Sequence, residues 1–103
     1  MAVEQVKIPL QVLSLEGELG LPPKALGLVI FAHGSGSSRH SPRNQYVARV
    51  LREAGLGTLL FDLLSAEEEA SEARTGALRF NIALLAERLV GATRWALDEA
   101  SSS

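Results

Sequence analysis

The amino-acid sequence has no cysteine, so disulfide bonds and thiolate metal sites are excluded. Its longest apolar runs fall far short of the roughly 18 to 20 residues that a membrane-spanning helix needs. It also lacks an excess of positive charge, because 10 basic side chains stand against 12 acidic ones in a chain of 103 residues. A domain that binds nucleic acid would need a basic surface. We therefore expect neither a membrane nor a nucleic acid as a partner.

The N-terminus has no basic segment followed by an apolar core, so no secretory signal is predicted and a cytoplasmic location is the default expectation. Apolar residues make up 47% of the chain, charged residues 21% and aromatic residues only 5%. This composition is too apolar for a disordered chain. At this length it predicts one small folded domain or a part of a larger one.

The first part of the chain shows the alternation that is typical of strands. Apolar residues predict a short strand over 3–8, which ends at Pro9. Across Leu13–Leu21, every odd position holds leucine or glycine and every even position holds a polar residue or glycine. This period of two predicts a half-buried antiparallel strand, which ends before Pro22 because proline cannot donate to a strand ladder.

The middle of the chain predicts a βαβ unit. Two continuous apolar runs, Gly27–Ala32 and Leu56–Leu64, are typical of strands buried on both faces of a parallel sheet. Between them, Ser41 followed by Pro42 predicts a helix start with Ser41 as the N-cap, and Gly55 predicts the C-terminal cap of that helix. We expect a right-handed crossover between the two strands.

The last part of the chain begins with an acidic stretch over Ser65–Gly76, which is predicted to be an exposed loop or short helix. Its three consecutive acids, Glu67, Glu68 and Glu69, are expected to form a solvated face. From Leu78 onward, apolar residues recur at steps of three and four, which predicts an amphipathic helix packed on the sheet. The predicted apolar stripe consists of Leu78, Ile82, Leu85, Leu89, Ala92 and Ala96, widened by Phe80, Leu84 and Trp95.

The segment that carries most chemical information is the Gly/Ser loop from His33 to Ser41, between the first buried strand and the helix. Small residues let backbone N–H groups converge at the carboxyl end of a strand, where open α/β sheets bind ligands. Such a loop can bind a phosphate or stabilise an oxyanion. Asp62, at the end of the next strand, could bind a ribose or cap the following turn. Arg39 stands where the dinucleotide fingerprint has its third glycine, so a phosphate- or nucleotide-binding βαβ unit is kept only as an alternative.

The loop sequence His-Gly-Ser-Gly-Ser-Ser-Arg-His-Ser-Pro-Arg-Asn, residues 33–44, resembles that of dienelactone-hydrolase-related bacterial proteins in the α/β-hydrolase superfamily. Leu59–Leu64 and Leu78–Ile82 resemble the same group. The resemblance implies an α/β fold, namely the N-terminal half of an α/β-hydrolase sheet: an antiparallel strand pair, then the βαβ unit and a further helix. It also implies cofactor-free hydrolysis of a small ester or lactone, with the backbone N–H of Ser35 as one donor of the oxyanion hole.

The sequence departs from the family at the catalytic nucleophile. Covalent hydrolysis needs a nucleophile, a base and an orienting acid. The resemblance places the nucleophile, Ser or Cys, on a Gly-x-Ser/Cys-x-Gly elbow after the final helix, and no such elbow occurs here. We therefore expect residues 1–103 to form an incomplete α/β-hydrolase domain that is inactive alone. An alternative is a non-catalytic half-domain that self-associates or pairs with a complementary C-terminal segment.

The candidate site residues follow from the loop and its flanks. Arginine matches a carboxylate bidentately, so the basic residues there could bind an anionic substrate, or equally could brace the loop through ion pairs. The histidine at the start of the loop could instead tie down the loop backbone with its ring. No metal site is predicted, because nothing converges on the acidic cluster to complete one. The residues expected to contact substrate are His33, Gly34, Arg39, His40 and Arg43.

Overall fold

A computed structural model describes residues 3–10, 13–33, 39–75 and 82–102, with the backbone alone described at 72–75 and 100–102. Its elements follow the order β-β-β-α-β-α-α. They are β1 (Glu4–Pro9), β2 (Ser14–Gly20), β3 (Leu28–His33), α1 (Pro42–Glu53), β4 (Gly57–Asp62), α2 (Ala66–Thr75) and α3 (Ile82–Ser102).

The four strands form one sheet in the order β1-β2-β4-β3. β1 and β2 are antiparallel, as predicted, and β2 is also antiparallel to β4. β3 and β4 are parallel, with Ile30 opposite Leu59. The helix α1 connects these two parallel strands, so the predicted βαβ unit is present and the α/β fold class is confirmed.

The central strand β4 carries the core, because five of its six residues are buried. Leu59 and Phe61 are fully buried in one cluster with Ala96 of α3. Thr58 lies on the other face, where the guanidinium of Arg52 in α1 donates to its hydroxyl at 3.0 Å. Successive side chains of a strand point to opposite faces, so this one apolar strand packs against a helix on each side of the sheet.

The bounds of α1 agree with the sequence prediction, but the capping differs. The helix starts at Pro42, and Gly55 follows its C-cap with φ at +95°, a conformation that glycine adopts without a Cβ clash. Ser41 holds the N-cap position, yet its side chain makes no capping hydrogen bond, so that part of the prediction is wrong. Only its carbonyl takes part, accepting from the N–H of Gln45 at 2.9 Å. Proline at the first position presets the helical backbone, so the start does not depend on the hydroxyl.

The acidic stretch forms the helix α2, which starts at a capping box. The N–H of Glu68 donates to Oγ of Ser65 at 3.2 Å, and the N–H of Ser65 donates to Oε1 of Glu68 at 2.9 Å. The Glu68 carboxylate also accepts hydrogen bonds from Arg88 of α3. The prediction that Glu67, Glu68 and Glu69 form a solvated face is therefore wrong for Glu68, because the buried Arg88 pairs with its carboxylate.

The buried stripe of α3 is rotated from the predicted one. Ala92 and Ala96 are fully buried, but Ile82 is 70% exposed and Leu89 is 40% exposed. Arg88 takes the buried position instead and is 7% exposed. Its long side chain reaches polar partners at the end of β4, and the two alanines let the helix lie close to the sheet. The predicted stripe members Leu78 and Phe80 lie outside the described residues. Within the described helices, none is long and apolar enough to cross a membrane.

Candidate functional site

The carboxyl ends of β3 and β4 lie side by side, with His33 opposite Asp62. This is the edge of the sheet at which the sequence predicts a site. The loop segment 34–38, which contains the proposed oxyanion donor Ser35 and the candidate Gly34, lies outside the described residues. Its two flanking residues, His33 and Arg39, are described, and both are anchored to β4.

His33 anchors the start of the loop. Its side chain is buried, with Nδ1 at 3.1 Å from the carbonyl oxygen of Phe61 and Nε2 at 2.9 Å from Nδ2 of Asn44. A carbonyl accepts and a side-chain NH₂ donates, so Nδ1 carries the proton and Nε2 accepts. The neutral ring therefore joins β3, β4 and α1. With both nitrogens engaged, the ring has no free lone pair that could take a proton from a nucleophile.

Arg39 anchors the end of the loop. Its backbone N–H donates to Oδ1 of Asp62 at 2.9 Å, and its Nη1 donates to Oδ2 of the same carboxylate at 2.5 Å. Its Nη2 lies 3.4 Å from Oε2 of Glu16, and its carbonyl accepts from Nε2 of Gln45 at 2.6 Å. Backbone and side chain of one residue are thus fixed to the end of β4 by charge-assisted hydrogen bonds.

Sequence reasoning considered Arg39 and Asp62 separately and missed their contact. It offered Asp62 as a turn cap or a ribose ligand, whereas both carboxylate oxygens accept from Arg39. The signal that could have joined the two residues is strand register. In a parallel pair, the end of β4 must lie beside the loop that follows His33.

A polar cluster continues from Arg39 toward the amino-terminal hairpin. Glu18 accepts from Gln5 at 2.7 Å and from Gln45. Burial by itself would raise the pKa of Glu18, but these hydrogen bonds and the positive charges of His40 and Arg39 together lower that pKa below its ordinary value. Glu18 is therefore held as a carboxylate next to the loop anchor.

The two remaining candidates lie just beyond the anchor. His40 and Arg43 are exposed, and Arg43 occupies the first turn of α1. The guanidinium of Arg39 is paired with Asp62 and Glu16. Substrate contacts by these residues stay predictions.

A separate groove lies away from this edge, between α3 and the turn that joins β1 to β2. It is apolar for the most part and includes Pro9, Leu10, Leu13, Leu84 and Val90 in its lining. None of the candidate site residues contributes to it, so it is not the pocket that the sequence predicts. Across the described ranges, no three His, Asp or Glu side chains are grouped so that they could hold a metal ion.

Two curated proteins of Mycobacterium tuberculosis, from strains CDC 1551 and H37Rv, are each 52% identical to this chain over 92 residues. Both carry the name "Putative phosphoribosyl transferase". The match covers 89% of this chain, but the chain spans only 20% of the length of either relative. No family model matches the chain.

Among solved structures, the crystal structure of a dienelactone hydrolase from Anabaena variabilis is similar, with a TM-score of 0.86 and 57% sequence identity. The match covers 91% of this chain and 44% of that chain. The likeness agrees with the resemblance of residues 33–44 to the loop of dienelactone-hydrolase-related proteins. It supports a relationship between this chain and an α/β-hydrolase-like group. The sheet and helices described above thus have the α/β fold of part of a dienelactone hydrolase.

Proposed function

We propose that this chain contributes the first strands and the oxyanion loop of a dienelactone-hydrolase-like enzyme that cleaves a small ester or lactone. The observation that carries the proposal is the match to a dienelactone hydrolase, at 57% identity over 91% of the chain. A shared fold alone would not identify a function, because one fold supports many chemistries. Here the high identity extends over a segment whose loop is anchored at both ends.

The anchors give the loop its proposed role. An oxyanion donor is effective only if it is already fixed where the negative charge develops. The ring of His33 fixes the start of segment 34–38 to Phe61, and Arg39 fixes its end to Asp62. Both anchor points belong to β4, the most buried strand of the sheet. In this proposal the backbone N–H of Ser35 is one donor of the oxyanion hole, and the described flanks His33 and Arg39 fix the loop ends to the core.

The exposed basic residues define the substrate class in this proposal. His40 and Arg43 are exposed and follow the loop, and in this proposal Arg43 binds a carboxylate on the substrate with His40 beside it. The guanidinium of Arg39 is already paired, so it acts on the loop instead of the substrate. A small anionic ester or lactone is therefore the expected ligand.

A phosphoribosyl transferase segment is the second candidate, favoured by the name of the two Mycobacterium relatives. This chain spans 20% of their length, so the named activity can belong to the remaining part. The acid available for a ribose here is Asp62, and both of its oxygens already accept from Arg39. We therefore rank the hydrolase first.

The proposal can be tested by exchanging the matched part of the Anabaena variabilis dienelactone hydrolase for this chain. We expect the chimera to hydrolyse a dienelactone and p-nitrophenyl acetate with kcat within about tenfold of the parent, about 1.4 kcal/mol in activation free energy. Arg39→Ala in the chimera should lower kcat by about 10- to 100-fold with little change in KM, because a displaced oxyanion donor acts on the transition state. Arg49→Ala is the matched control, since Arg49 is exposed and packs over the ring of Tyr46.

Three outcomes would contradict part of this proposal or favour the second candidate function. A chimera with native circular dichroism that hydrolyses neither substrate would contradict the hydrolase. Equal kcat values for the Arg39→Ala and Arg49→Ala chimeras would contradict the positioning role of Arg39. Binding of ribose 5-phosphate by the 103-residue chain, measured by calorimetry and lost in Asp62→Asn, would favour the phosphoribosyl transferase.

The chain by itself should be inactive. Its sequence has no nucleophile elbow, and the ring nitrogens of His33 are engaged by Phe61 and Asn44. We expect background rates with p-nitrophenyl acetate, unchanged in the double variant His33→Ala/His40→Ala. A burst of product with an acyl group on a loop serine, lost in the double variant, would overturn this expectation.

A further inference from the structure

Two adjacent amide side chains of α1 contact the two ends of segment 34–38. Nδ2 of Asn44 donates to Nε2 of His33 at 2.9 Å, just before the segment. Nε2 of Gln45 donates to the carbonyl oxygen of Arg39 at 2.6 Å, just after it. Neighbouring residues of a helix point about 100° apart, so one helical turn can reach two separate points. We call Asn44 and Gln45 the amide pair.

The helix that carries the amide pair is fixed to the sheet by contacts of its own. Ala48, one turn further along α1, is fully buried. Near the other end of the helix, the guanidinium of Arg52 donates to the hydroxyl of Thr58 in β4 at 3.0 Å. The first turn is closed by the N–H of Gln45, which donates to the carbonyl of Ser41 at 2.9 Å. The amide pair therefore extends from a support that does not depend on segment 34–38.

The orientation of the Gln45 amide is fixed by β2. Nε2 of Gln45 donates to Oε2 of Glu18 as well as to the carbonyl of Arg39. Glu18 lies opposite Leu60 of β4, on the same face of the sheet as Thr58, which is the face that α1 covers. A carboxylate and a carbonyl can only accept, so the two contacts use both hydrogens of the Gln45 NH₂ group. The reversed amide would place an oxygen against two acceptors.

We propose that the amide pair positions segment 34–38, Asn44 through the ring of His33 and Gln45 through the carbonyl of Arg39. Glu18 takes part by fixing the orientation of Gln45. The inference rests on the proposed function, because it assigns these residues to the proposed oxyanion loop. Each end of the segment is then held both to β4 and to α1. A shift of about 1 Å in a catalytic group can cost orders of magnitude in rate, so a second support has a catalytic consequence.

The first test uses Gln45→Leu in the chimera with the Anabaena variabilis hydrolase. Leucine has a similar size but cannot donate, so we expect kcat to fall by about tenfold with little change in KM. Gln5→Leu is the matched control. Gln5 donates to the other oxygen of Glu18 at 2.7 Å, but it is exposed on β1 and makes no described contact with the loop ends. It should leave kcat unchanged.

An exchange of the two polar groups separates positioning from stability. Gln45→Glu alone opposes two carboxylates and should lower both kcat and the denaturation midpoint. Adding Glu18→Gln restores an amide–carboxylate contact in the reverse direction, so the midpoint should return close to that of the parent. The carbonyl of Arg39 still lacks its donor from residue 45, so kcat should stay about tenfold low. A merely structural role would let both quantities recover.

The other half of the amide pair has a spectroscopic test. In the 103-residue chain with ¹⁵N-labelled histidine, the ring of His33 should carry a proton on Nδ1 and none on Nε2. Asn44→Asp replaces the donor at Nε2 by an acceptor, so Nε2 should gain a proton. His40→Ala identifies the signals of the second histidine. In the chimera, Asn44→Leu should lower kcat by about tenfold with little change in KM.

The results that would overturn the proposal differ from those that would overturn the hydrolase. Equal kcat values for Gln45→Leu and Gln5→Leu, recovery of kcat in the exchanged variant, or an unchanged His33 spectrum in Asn44→Asp would each contradict it. If the folded chimera hydrolyses nothing, the proposed function fails, and hydrogen exchange still tests the positioning. Amides of segment 34–38 should exchange about tenfold faster in Gln45→Leu than in Gln5→Leu. Equal exchange rates would show that the amide pair does not hold the segment.

Discussion

Two arginines flank the carboxyl end of β4, and each is paired with a carboxylate. They differ in how many of their guanidinium N–H groups have a hydrogen-bond acceptor. Arg88 has a side chain 8% exposed, donates to both oxygens of Glu68 and reaches the carbonyl of Leu63 at 3.1 Å. Arg39 has a side chain 14% exposed and pairs with Asp62. Its Nε is buried and has no hydrogen-bond partner among the described residues.

The difference follows from what each arginine connects. Arg88 joins α3, α2 and the segment after β4, so it connects three parts of the fold. Arg39 joins one loop flank to one strand end. Removing the Arg88 side chain leaves the Glu68 carboxylate without its countercharge and the Leu63 carbonyl without that donor, whereas removing the Arg39 side chain leaves Asp62 with the backbone N–H of residue 39 as a donor. The same chemistry therefore serves global stability at Arg88 and local positioning at Arg39.

The strongest test of this comparison is Arg88→Met. We expect it to lower the free energy of unfolding by about 2–3 kcal/mol, because the Glu68 carboxylate loses its countercharge and water screens only part of that loss at a side chain 21% exposed. Denaturant unfolding at one fixed protein concentration measures the loss, since self-association would make stability depend on concentration. Arg94→Met, at an exposed position of the same helix, is the control and should cost about 0.5 kcal/mol or less.

The double variant Arg88→Met/Glu68→Leu sharpens the interpretation. If the uncompensated charge causes the loss, removing Glu68 as well should restore most of the stability. If the double variant is as unstable as Arg88→Met, the cause is lost packing and the comparison of the two pairs fails.

Arg39→Ala should have a smaller effect on stability, about 1–2 kcal/mol, because its backbone N–H can still donate to Asp62. The same denaturant experiment measures it, with Arg49→Ala as the exposed control on α1. A loss equal to that of Arg88→Met would show that the two pairs contribute alike, contrary to the comparison.

The parts of the fold that the sequence predicts are those that local patterns determine. The period of two at Leu13–Leu21 predicts β2, and the apolar runs predict β3 and β4, because burial on one or both faces leaves a direct record in the side chains. Gly55 predicts the end of α1 through its backbone freedom. The helix α2 could also have been predicted, since Ser65 and Glu68 have the spacing of a capping box.

The parts that it does not predict depend on contacts between distant residues. Arg88 and Glu68 are 20 positions apart, and a helical periodicity rule places an arginine on the solvent face. Arg39 and Asp62 are 23 positions apart, and their contact requires the register of β3 against β4. At the candidate site, sequence reasoning therefore identified the flanking residues but not the partners that hold them.

The pH dependence of stability should test the contribution of the Arg88–Glu68 pair next. Hydrogen bonds from Arg88 hold the pKa of Glu68 below its ordinary value of 4.5, with burial opposing and Ser65 assisting. Because the folded pKa is the lower one, the pair contributes fully above about pH 4.5 and its contribution is lost as the pH falls through the folded pKa. Glu68→Gln should remove this part of the decrease in the free energy of unfolding that is measured between about pH 7 and about pH 3.

Glu67→Gln is the control for that experiment, because Glu67 is exposed on the same turn of α2. It should leave the acid slope unchanged. Part of the acid dependence of the free energy of unfolding will remain in Glu68→Gln, because the pKa of Glu18 is also lowered in the folded chain. An acid slope identical in Glu68→Gln and in the parent would contradict the assignment of this dependence to the Arg88 pair.

The smallest expected effects come from the serines that precede α1 and α2, one near each arginine. Ser65→Ala should cost about 1 kcal/mol, because its hydroxyl accepts from the N–H of Glu68 and so helps to place that carboxylate for Arg88. Ser41→Ala should cost less than about 0.5 kcal/mol, since its side chain makes no capping hydrogen bond and Pro42 presets the helix. Denaturant unfolding of the two variants side by side measures the difference. Equal losses would mean that helix starts, and not the network around Arg88, account for the contribution of Ser65.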